Sequence, residues 1–455
     1  MNTYSLALLL LSSVAAGAGP FIQSPYLQLG DHPSDATKMT LLWHTTDTSA
    51  QFSVRVKVLG GKKWEAQPGI TRRRIAVRGI EPHLVYAAEL TGLRPGIEFD
   101  YEVSRDGQVV FMSRALARKT AKQSYQFAVF GDCGQNNIAQ KQIARQVHLW
   151  KPDFVQVTGD IVYSRGLISE YREKFYPIYN SDTVPLLRMR PMIGVPGNHD
   201  TAANDLTKYP DAQAYYYYWN QPLNGPDVDA IGQPRKFEGD PADVQAVLTS
   251  AGPSLKRMGS FSFDYGNAHW IAVDTNTYLD WTAPQLRDWL ERDLMAAKSA
   301  TWRFVTMHHP AFNSSKAHFN EQHPRWMADL FEKYHVDVVL AGHVHNYQRT
   351  YPLKFKVAPG APKLGIVDGQ FDFDKKFDGI NKTKANAPIY IVTGAGGAGL
   401  YDPTQGDDST AWQSFTTKFV SNVNSFSWFE IDGKKLQFRQ IDGMGREVDR
   451  FTLTK

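Results

Sequence analysis

The sequence is poor in cysteine and in net charge. Cys133 is the single cysteine among 455 residues, so an intrachain disulfide is impossible and packing must stabilise the fold. The formal net charge is only +4, whereas a nucleic-acid-binding protein usually concentrates basic residues on one face. The densest basic cluster, Arg72-Arg73-Arg74, precedes a strand-like run and is predicted to be a solvated strand edge. We therefore expect no nucleic-acid partner.

Long hydrophobic runs are missing beyond residue 19. The first residues read MNTYSLALLLLSSVAAGAG, with an apolar centre at 6–11 and small residues at 16–18 typical of a cleavage site. No Lys or Arg precedes this centre. We nevertheless predict a signal peptide over residues 1–18 and a secreted or periplasmic protein; a buried N-terminal strand or helix is the alternative. No later segment is apolar over a membrane-spanning length, so we expect no membrane partner.

The remaining composition is that of a globular protein with room for two cores: 42% hydrophobic, 13% aromatic and 21% charged residues. Up to about residue 120, alternating or β-branched runs are separated by turn signals such as Gly60-Gly61 and Asp106-Gly107. The runs predict strands at residues 39–44, 52–59, 85–90 and 99–104. We therefore predict an all-β, fibronectin-like sandwich over residues 19–120, with no cluster of metal-ligand residues.

After residue 120 the pattern becomes that of an α/β domain. Apolar runs alternate with helical patterns at residues 138–150, 283–298 and 324–334, which indicates βαβ units. The chain ends in a strand meander whose turns are Asp432-Gly433 and Asp442-Gly443. We predict that residues 121–455 form a second domain, which carries the chemistry.

Five of the apolar runs are followed by polar residues. They are Gly131-Asp132-Cys133-Gly134, Gly159-Asp160-Ile161-Val162-Tyr163, Gly197-Asn198-His199-Asp200, His308-His309 and Gly342-His343-Val344-His345. Each cluster alone would indicate a turn or a packed side chain. Because the carboxyl ends of strands in an open α/β sheet meet at one crevice, the five together predict a single site.

The residue types in these clusters suit transition metals. Carboxylate, imidazole, amide oxygen and phenolate favour first-row ions over calcium or magnesium. Seven candidate ligands exceed what one ion needs, which favours two ions sharing a bridging carboxylate. A tyrosine ligand must ionise from a pKa near 10, and Fe(III) favours that most strongly. Cys133 is predicted to face the core, since neighbours along a strand point to opposite faces.

The clusters, in order, match D-x-G, G-D-x-x-Y, G-N-H-[DE], V-x-x-H and G-H-x-H. The sequence thereby resembles the purple acid phosphatases, within the calcineurin-like metallophosphoesterases. The tyrosine after Gly-Asp separates the purple enzymes from most of that superfamily. The resemblance extends to residues 23–29 and 39–45 of the predicted sandwich, to residues 393–400 and to the closing meander, so it covers nearly the whole mature chain.

The resemblance implies a metallophosphoesterase sandwich and a ligand set. Fe(III) would be held by Asp132, Asp160, Tyr163 and His345. A divalent Fe, Zn or Mn ion would be held by Asp160, Asn198, His308 and His343, with Asp160 bridging. A metal-bound hydroxide would attack the phosphorus of small phosphate monoesters.

The resemblance also implies residues that contact substrate. Asn198 and His199 would bind the phosphate, and His199 could protonate the leaving group. His318 would also help with substrate and leaving group, and Glu321 lies near it. Ala317 departs from the plant enzymes, which usually carry two histidines here, so one cationic contact to substrate is missing. His309 is either a neighbour of the ligands or a packed side chain, and Arg349 is predicted to brace a strand end.

Three functional hypotheses follow. The first is a secreted acid phosphatase acting on monoesters. The second keeps the same metals but hydrolyses phosphodiesters or nucleotides, and the sequence does not separate the two. The third is a binding protein with a relict hydrolase domain; against it, every expected ligand and His199 are present. The oligomeric state stays open.

Overall fold

The computed structural model describes residues 19–232 and 236–455, so the predicted signal peptide lies outside the described residues. Eight strands form the N-terminal part: β1 (Gln23–Gln28), β2 (Met39–Thr46), β3 (Phe52–Val58), β4 (Glu65–Gln67), β5 (Ile70–Ile75), β6 (His83–Leu90), β7 (Glu98–Arg105) and β8 (Gln108–Leu116). The strands that follow in the described chain are β9 (Tyr125–Phe130), β10 (Phe154–Val157), β11 (Met192–Gly194), β12 (Phe261–Tyr265), β13 (Ala268–Val273), β14 (Trp302–Met307), β15 (Val338–Ala341), β16 (Tyr347–Thr350), β17 (Leu353–Val357), β18 (Gly369–Phe373), β19 (Ile389–Thr393), β20 (Thr416–Val420), β21 (Ser425–Asp432), β22 (Lys435–Asp442) and β23 (Glu447–Thr454).

The α-helical segments within the same ranges are mostly short. They are α1 (Ile138–Trp150), α2 (Ile168–Glu170), α3 (Tyr176–Tyr179), α4 (Leu186–Met189), α5 (Asn198–Thr201), α6 (Ala214–Tyr218), α7 (Val228–Ile231), α8 (Pro241–Ala251), α9 (Ser254–Arg257), α10 (Pro284–Ala296) and α11 (Ala328–Lys333). None of these described helices has the length and apolarity needed to cross a membrane.

The N-terminal strands form two four-stranded antiparallel sheets, in the orders β1-β2-β6-β5 and β4-β3-β7-β8. This confirms the predicted fibronectin-like β-sandwich. Strand β2 is buried on both faces, because Leu41 and Trp43 pack into the sandwich while Leu42 packs on the part of the chain that follows residue 120, the C-terminal part. A sheet covered on both sides explains why β2 lacks the simple alternation of apolar and polar residues.

The predicted solvated edge at Arg72-Arg73-Arg74 is wrong for its central residue. All three lie within β5, and Arg73 points toward the C-terminal part, where it donates hydrogen bonds to the carbonyls of Tyr217 (2.6 Å) and Ala251 (3.0 Å). Strand period two places Arg73 on the opposite face from its exposed neighbours. The basic cluster therefore helps to join the two parts of the protein.

Two mixed sheets pack face to face in the C-terminal part. Their orders are β11-β10-β9-β21-β22-β23 and β12-β13-β14-β15-β19-β16-β20. Between them lies an aromatic core in which Phe127, Trp270 and Phe304 are in mutual ring contact, with centroids 4.3–5.5 Å apart. The predicted βαβ units and closing meander are thus confirmed, with the parallel strands divided between two sheets.

The parallel strands of both sheets end at one edge of this sandwich. Strands β9, β10 and β11 pair in parallel in one sheet, and β13, β14, β15 and β19 pair in parallel in the other. The predicted helix at residues 324–334 begins instead as a 3₁₀ turn, His323–Met327, before α11. The Arg325 amide donates to the Gln322 carbonyl three residues earlier, at 3.0 Å, which is the hydrogen-bond pattern of a 3₁₀ turn.

A buried histidine ties β13 to its neighbours away from the polar clusters. His269 Nδ1 lies 2.8 Å from Asp264 Oδ1, and its Nε2 lies 2.7 Å from Asp293 Oδ2. Burial alone would lower the pKa of His269, but the two carboxylates outweigh burial and raise it to about 9. A cavity of about 640 Å³ lies beside this triad, between the sandwich and α10.

This triad predicts a stability that falls at alkaline pH. Because the folded-state pKa of about 9 exceeds the unfolded value of 6.5, the contribution is complete below pH 6.5 and is lost as pH rises through 9. It amounts to at most about 3 kcal/mol. Urea unfolding of wild type and His269→Gln should show a larger difference at acid pH than at alkaline pH. A difference that does not change with pH would contradict it.

Candidate metal centre

The five polar clusters meet at the edge where the parallel strands end. Asp132, Asp160 and His343 each adopt a left-handed backbone conformation, with φ of 57°, 50° and 68°, so each strand turns sharply at its polar residue. A Cβ atom on Gly197 would collide with the Asp160 carboxylate, and one on Gly342 would lie 2.6 Å from Asp132 Oδ2. The glycines beside the polar residues therefore provide the space for the carboxylates.

One group of side chains gathers around Asp132, Tyr163 and His345. The Tyr163 hydroxyl lies 3.2 Å from Asp132 Oδ1 and 2.9 Å from His345 Nε2, and the last two atoms are 3.4 Å apart. All three residues are buried. The atoms form a small triangle of oxygen and nitrogen donors.

A second group surrounds His308 Nε2. This nitrogen lies 2.9 Å from Asn198 Oδ1, 3.2 Å from His343 Nδ1 and 3.3 Å from Asp160 Oδ1. The two groups adjoin, because ligand atoms of Asp132, Asp160 and His308 all lie within 4.8 Å of one another. The structure thus brings together all seven residues predicted as ligands.

The other nitrogen of each histidine has a partner that fixes its tautomer. His308 Nδ1 lies 2.8 Å from the Thr158 carbonyl, His345 Nδ1 lies 2.6 Å from the Gly399 carbonyl, and His343 Nε2 lies 2.8 Å from Glu321 Oε2. Each of these nitrogens donates its hydrogen outward. In the neutral rings, the remaining nitrogens therefore direct lone pairs into the two groups.

The two groups are suited to cations because lone pairs of neighbouring oxygen and nitrogen atoms point toward one another. Separations of 2.9–3.4 Å between acceptor atoms match the edges of about 3.0–3.4 Å expected around an ion with ligand bonds of about 2.1 Å. Without a cation a proton must occupy such a place. Burial would lower the pKa of His308, but Asp160 outweighs burial and raises it to about 10, so a metal ion would displace that proton.

The carboxylate and the phenol respond to the same surroundings. Burial would raise the pKa of Asp160, but His308 and the other imidazoles hold it below its usual range. Burial, together with the charges of Asp132 and Asp160, raises the pKa of Tyr163 well above 10. The Tyr163 phenol can ionise at ordinary pH only beside a strongly charged cation.

The predicted substrate residues border the two groups. His199 is partly exposed, its ring lies 4.6 Å from the Tyr163 ring, and its Nδ1 lies 3.0 Å from the Ser164 carbonyl. His318, also partly exposed, lies 4.1 Å from the His343 ring between centroids. Both imidazoles are therefore accessible beside the ligand groups.

Glu321 links two of these histidines. Its Oε1 lies 2.7 Å from His318 Nδ1 and its Oε2 lies 2.8 Å from His343 Nε2. His309, left open by the sequence, is buried, with Nδ1 2.9 Å from the Thr275 hydroxyl and Nε2 3.5 Å from Glu321 Oε2. It is a packed neighbour of His343, a predicted ligand.

Two other predictions about single residues are confirmed. Cys133 is fully buried in the core. Because β9 ends at Phe130, the turn that follows the strand directs Cys133 inward, and strand alternation does not. Arg349 pairs with Asp449 at 2.7 Å and braces a strand end.

Sequence reasoning placed Asp200 in a polar cluster but gave it no role, and it missed Tyr401. Asp200 is buried and accepts backbone hydrogen bonds from Gly197 (2.8 Å) and Ile161 (3.2 Å), which joins two of the polar clusters. The sequence feature that could have pointed to Asp200 is its position directly after His199. Tyr401 stacks on His345 with centroids 4.0 Å apart, and follows the glycine-rich run at residues 394–399.

Comparison with known proteins defines the class. Residues 125–347 match the family model described as calcineurin-like phosphoesterase. This segment is a calcineurin-like phosphoesterase domain.

The similar proteins narrow the class. Acid phosphatase type 7 of Homo sapiens is 23% identical over 431 residues, covering 87% of this chain and 83% of that protein. Probable inactive purple acid phosphatase 1 of Arabidopsis thaliana is 23% identical over 412 residues, covering 82% and 58%. The purple acid phosphatase PPD1 of yellow lupin has the same fold, with a TM-score of 0.65 at 17% identity, covering 95% of this chain and 74% of that one. In sequence and in fold the chain is therefore similar to the purple acid phosphatases.

Proposed function

We propose that the protein is a secreted or periplasmic acid phosphatase that hydrolyses small phosphate monoesters. The observation that carries the proposal is the pair of adjoining groups in which seven side chains direct oxygen and nitrogen lone pairs inward. Asp132, Asp160, Tyr163 and His345 would hold Fe(III). Asp160, Asn198, His308 and His343 would hold a divalent Fe, Zn or Mn ion.

Two such ions, when bound, supply Lewis acidity for the phosphoryl group and lower the pKa of water. The protein orients them and completes the site. Asn198 and the partly exposed His199 and His318 lie where they can contact a phosphate bound across both groups. His199 or His318, when protonated, can donate a proton to the leaving oxygen.

The monoester and diester hypotheses use the same centre. A diester carries one negative charge fewer and a second organic group, so the charges and space beside the centre decide between them. Ala317 removes one cationic contact, which weakens the preference for the more highly charged monoester. We retain the monoester assignment because His199 and His318 are both present to bind a dianion.

A direct comparison of two esters tests the assignment. Purified protein loaded with iron and zinc should hydrolyse 4-nitrophenyl phosphate faster than bis(4-nitrophenyl) phosphate, with its optimum on the acid side. A visible absorption band should accompany loading, because a phenolate on Fe(III) absorbs visible light. Faster diester hydrolysis would replace the first hypothesis with the second.

The relict-domain hypothesis needs its own test. One similar plant protein carries the name of a probable inactive enzyme, so family membership alone does not establish turnover. In an active enzyme, His308→Ala removes the nitrogen at the centre of the second group. Turnover unchanged by His308→Ala would favour a binding protein.

A further inference from the structure

The segment around Tyr401 holds His345 on three sides. The Gly399 carbonyl accepts a hydrogen bond from His345 Nδ1 at 2.6 Å. The Tyr401 amide donates to the His345 carbonyl at 3.1 Å, and the Tyr401 ring stacks on the His345 ring, with centroids 4.0 Å apart and planes 11° apart. Main-chain and ring contacts together fix Tyr401 beside the predicted Fe(III) ligands.

The hydroxyl of Tyr401 makes no hydrogen bond within the described part of the chain, although the ring is only partly exposed. The Tyr401 ring contacts two rings of the site, with centroids 4.0 Å from His345 and 5.4 Å from His318. The hydroxyl therefore lies beside the space between the His345 ligand group and His318.

We propose that Tyr401 is a further substrate-binding residue whose hydroxyl donates a hydrogen bond to an oxygen of the phosphate group. This inference rests on the proposed function, because it assumes that phosphate binds across the two ligand groups. Its ring lies 5.4 Å from the His318 ring, so one phosphate could contact both. A neutral donor at this place offers a contact on the side of the pocket where Ala317 supplies none.

A purely structural role for Tyr401 makes a different prediction. If the residue only holds His345 in place, the ring and the backbone make the contacts that matter and the hydroxyl does not contribute to phosphate binding. Tyr401→Phe keeps the ring and removes the donor, whereas Tyr401→Leu removes both. Tyr351→Phe is a matched control, because the Tyr351 hydroxyl also makes no hydrogen bond in the described chain and β16 separates it from His345.

The test measures inorganic phosphate binding by calorimetry, monoester kinetics and the visible spectrum of metal-loaded protein. For Tyr401→Phe we expect the dissociation constant of phosphate to rise about 10-fold or more, as for a lost hydrogen bond to a charged group. The visible band and metal content should stay as in wild type. Tyr351→Phe should behave as wild type.

Each outcome is decisive. Wild-type phosphate affinity and kinetics in Tyr401→Phe, with defects only in Tyr401→Leu, would overturn the proposal and leave a positioning role. If wild type itself neither binds phosphate nor hydrolyses either ester, the proposed function fails first and this inference fails with it.

Discussion

Asp160→Asn is expected to reduce monoester turnover by about 10³-fold or more, because Asp160 is the carboxylate shared by the two ligand groups. Its Oδ1 lies 3.3 Å from His308 Nε2, and its charge acts on Tyr163. Loss of an outer partner of a metal ligand already costs about 10–100-fold. Asparagine keeps the shape but can offer only one uncharged oxygen, so neither ion would be held as in wild type.

Metal analysis and thermal unfolding distinguish this loss from misfolding. Wild type should gain stability when iron and zinc are added, since binding to the folded state alone raises the unfolding midpoint. The Asp160→Asn midpoint should respond much less. Asp337→Asn is a matched control, because Asp337 is a buried carboxylate at the opposite end of β15 that pairs with Lys455 at 2.9 Å. That variant should lose stability but keep its metals. Full metal content and turnover in Asp160→Asn would refute the bridging role.

Glu321→Gln is expected to lower kcat/KM by about 10–100-fold, the usual cost of losing a partner of a metal-ligating histidine. Burial would raise the pKa of Glu321, but the hydrogen bonds from His318 and His343 outweigh burial and hold it below its usual range. The carboxylate therefore stays ionised and accepts a hydrogen bond on each oxygen. In glutamine one of those oxygens is replaced by an NH2 group, which donates hydrogen bonds and cannot accept one, so one imidazole N–H loses its acceptor.

The kinetic constants show which histidine has lost its hydrogen-bond acceptor. If His343 turns, metal affinity falls and added divalent metal should restore part of kcat. If His318 turns, metal content stays complete while KM rises. Glu291→Gln is a suitable control, because Glu291 pairs with Lys333 at the surface at 2.6 Å, and it should leave both constants unchanged. Wild-type kinetics in Glu321→Gln would mean that the two imidazoles keep their orientation by packing alone.

Much of the architecture could be predicted from the sequence because its signals are local. The helix at residues 138–150 coincides with α1, whose start is fixed by the Asn137 side chain accepting a hydrogen bond from the Gln140 amide. The polar clusters were visible because a glycine stands beside a ligand-type residue at a strand end. Strand ends in this fold class meet at one edge, so convergence could be expected without knowing the strand order.

What could not be predicted depends on contacts between distant segments. Nothing near Glu321 in the sequence shows that its carboxylate reaches His343, or that Tyr401 lies over His345. Arg73 looked solvated because its neighbours are charged, and only the packing of β5 on the C-terminal part shows its partners. The division of the parallel strands between two sheets was equally hidden, since the run lengths are the same in either arrangement.

That division has a consequence for how the protein matures. Asp132, Asp160 and Asn198 follow strands of one sheet, whereas His308 and His343 follow strands of the other. Each of the two proposed ligand sets takes donors from both halves of the sandwich, so neither half alone supplies a complete set. Both ions would therefore bind only after the two halves have packed together. The bound ions would then stabilise the contact between the halves. On the proposed function, an incompletely folded chain would therefore hold no metal ions and would be inactive.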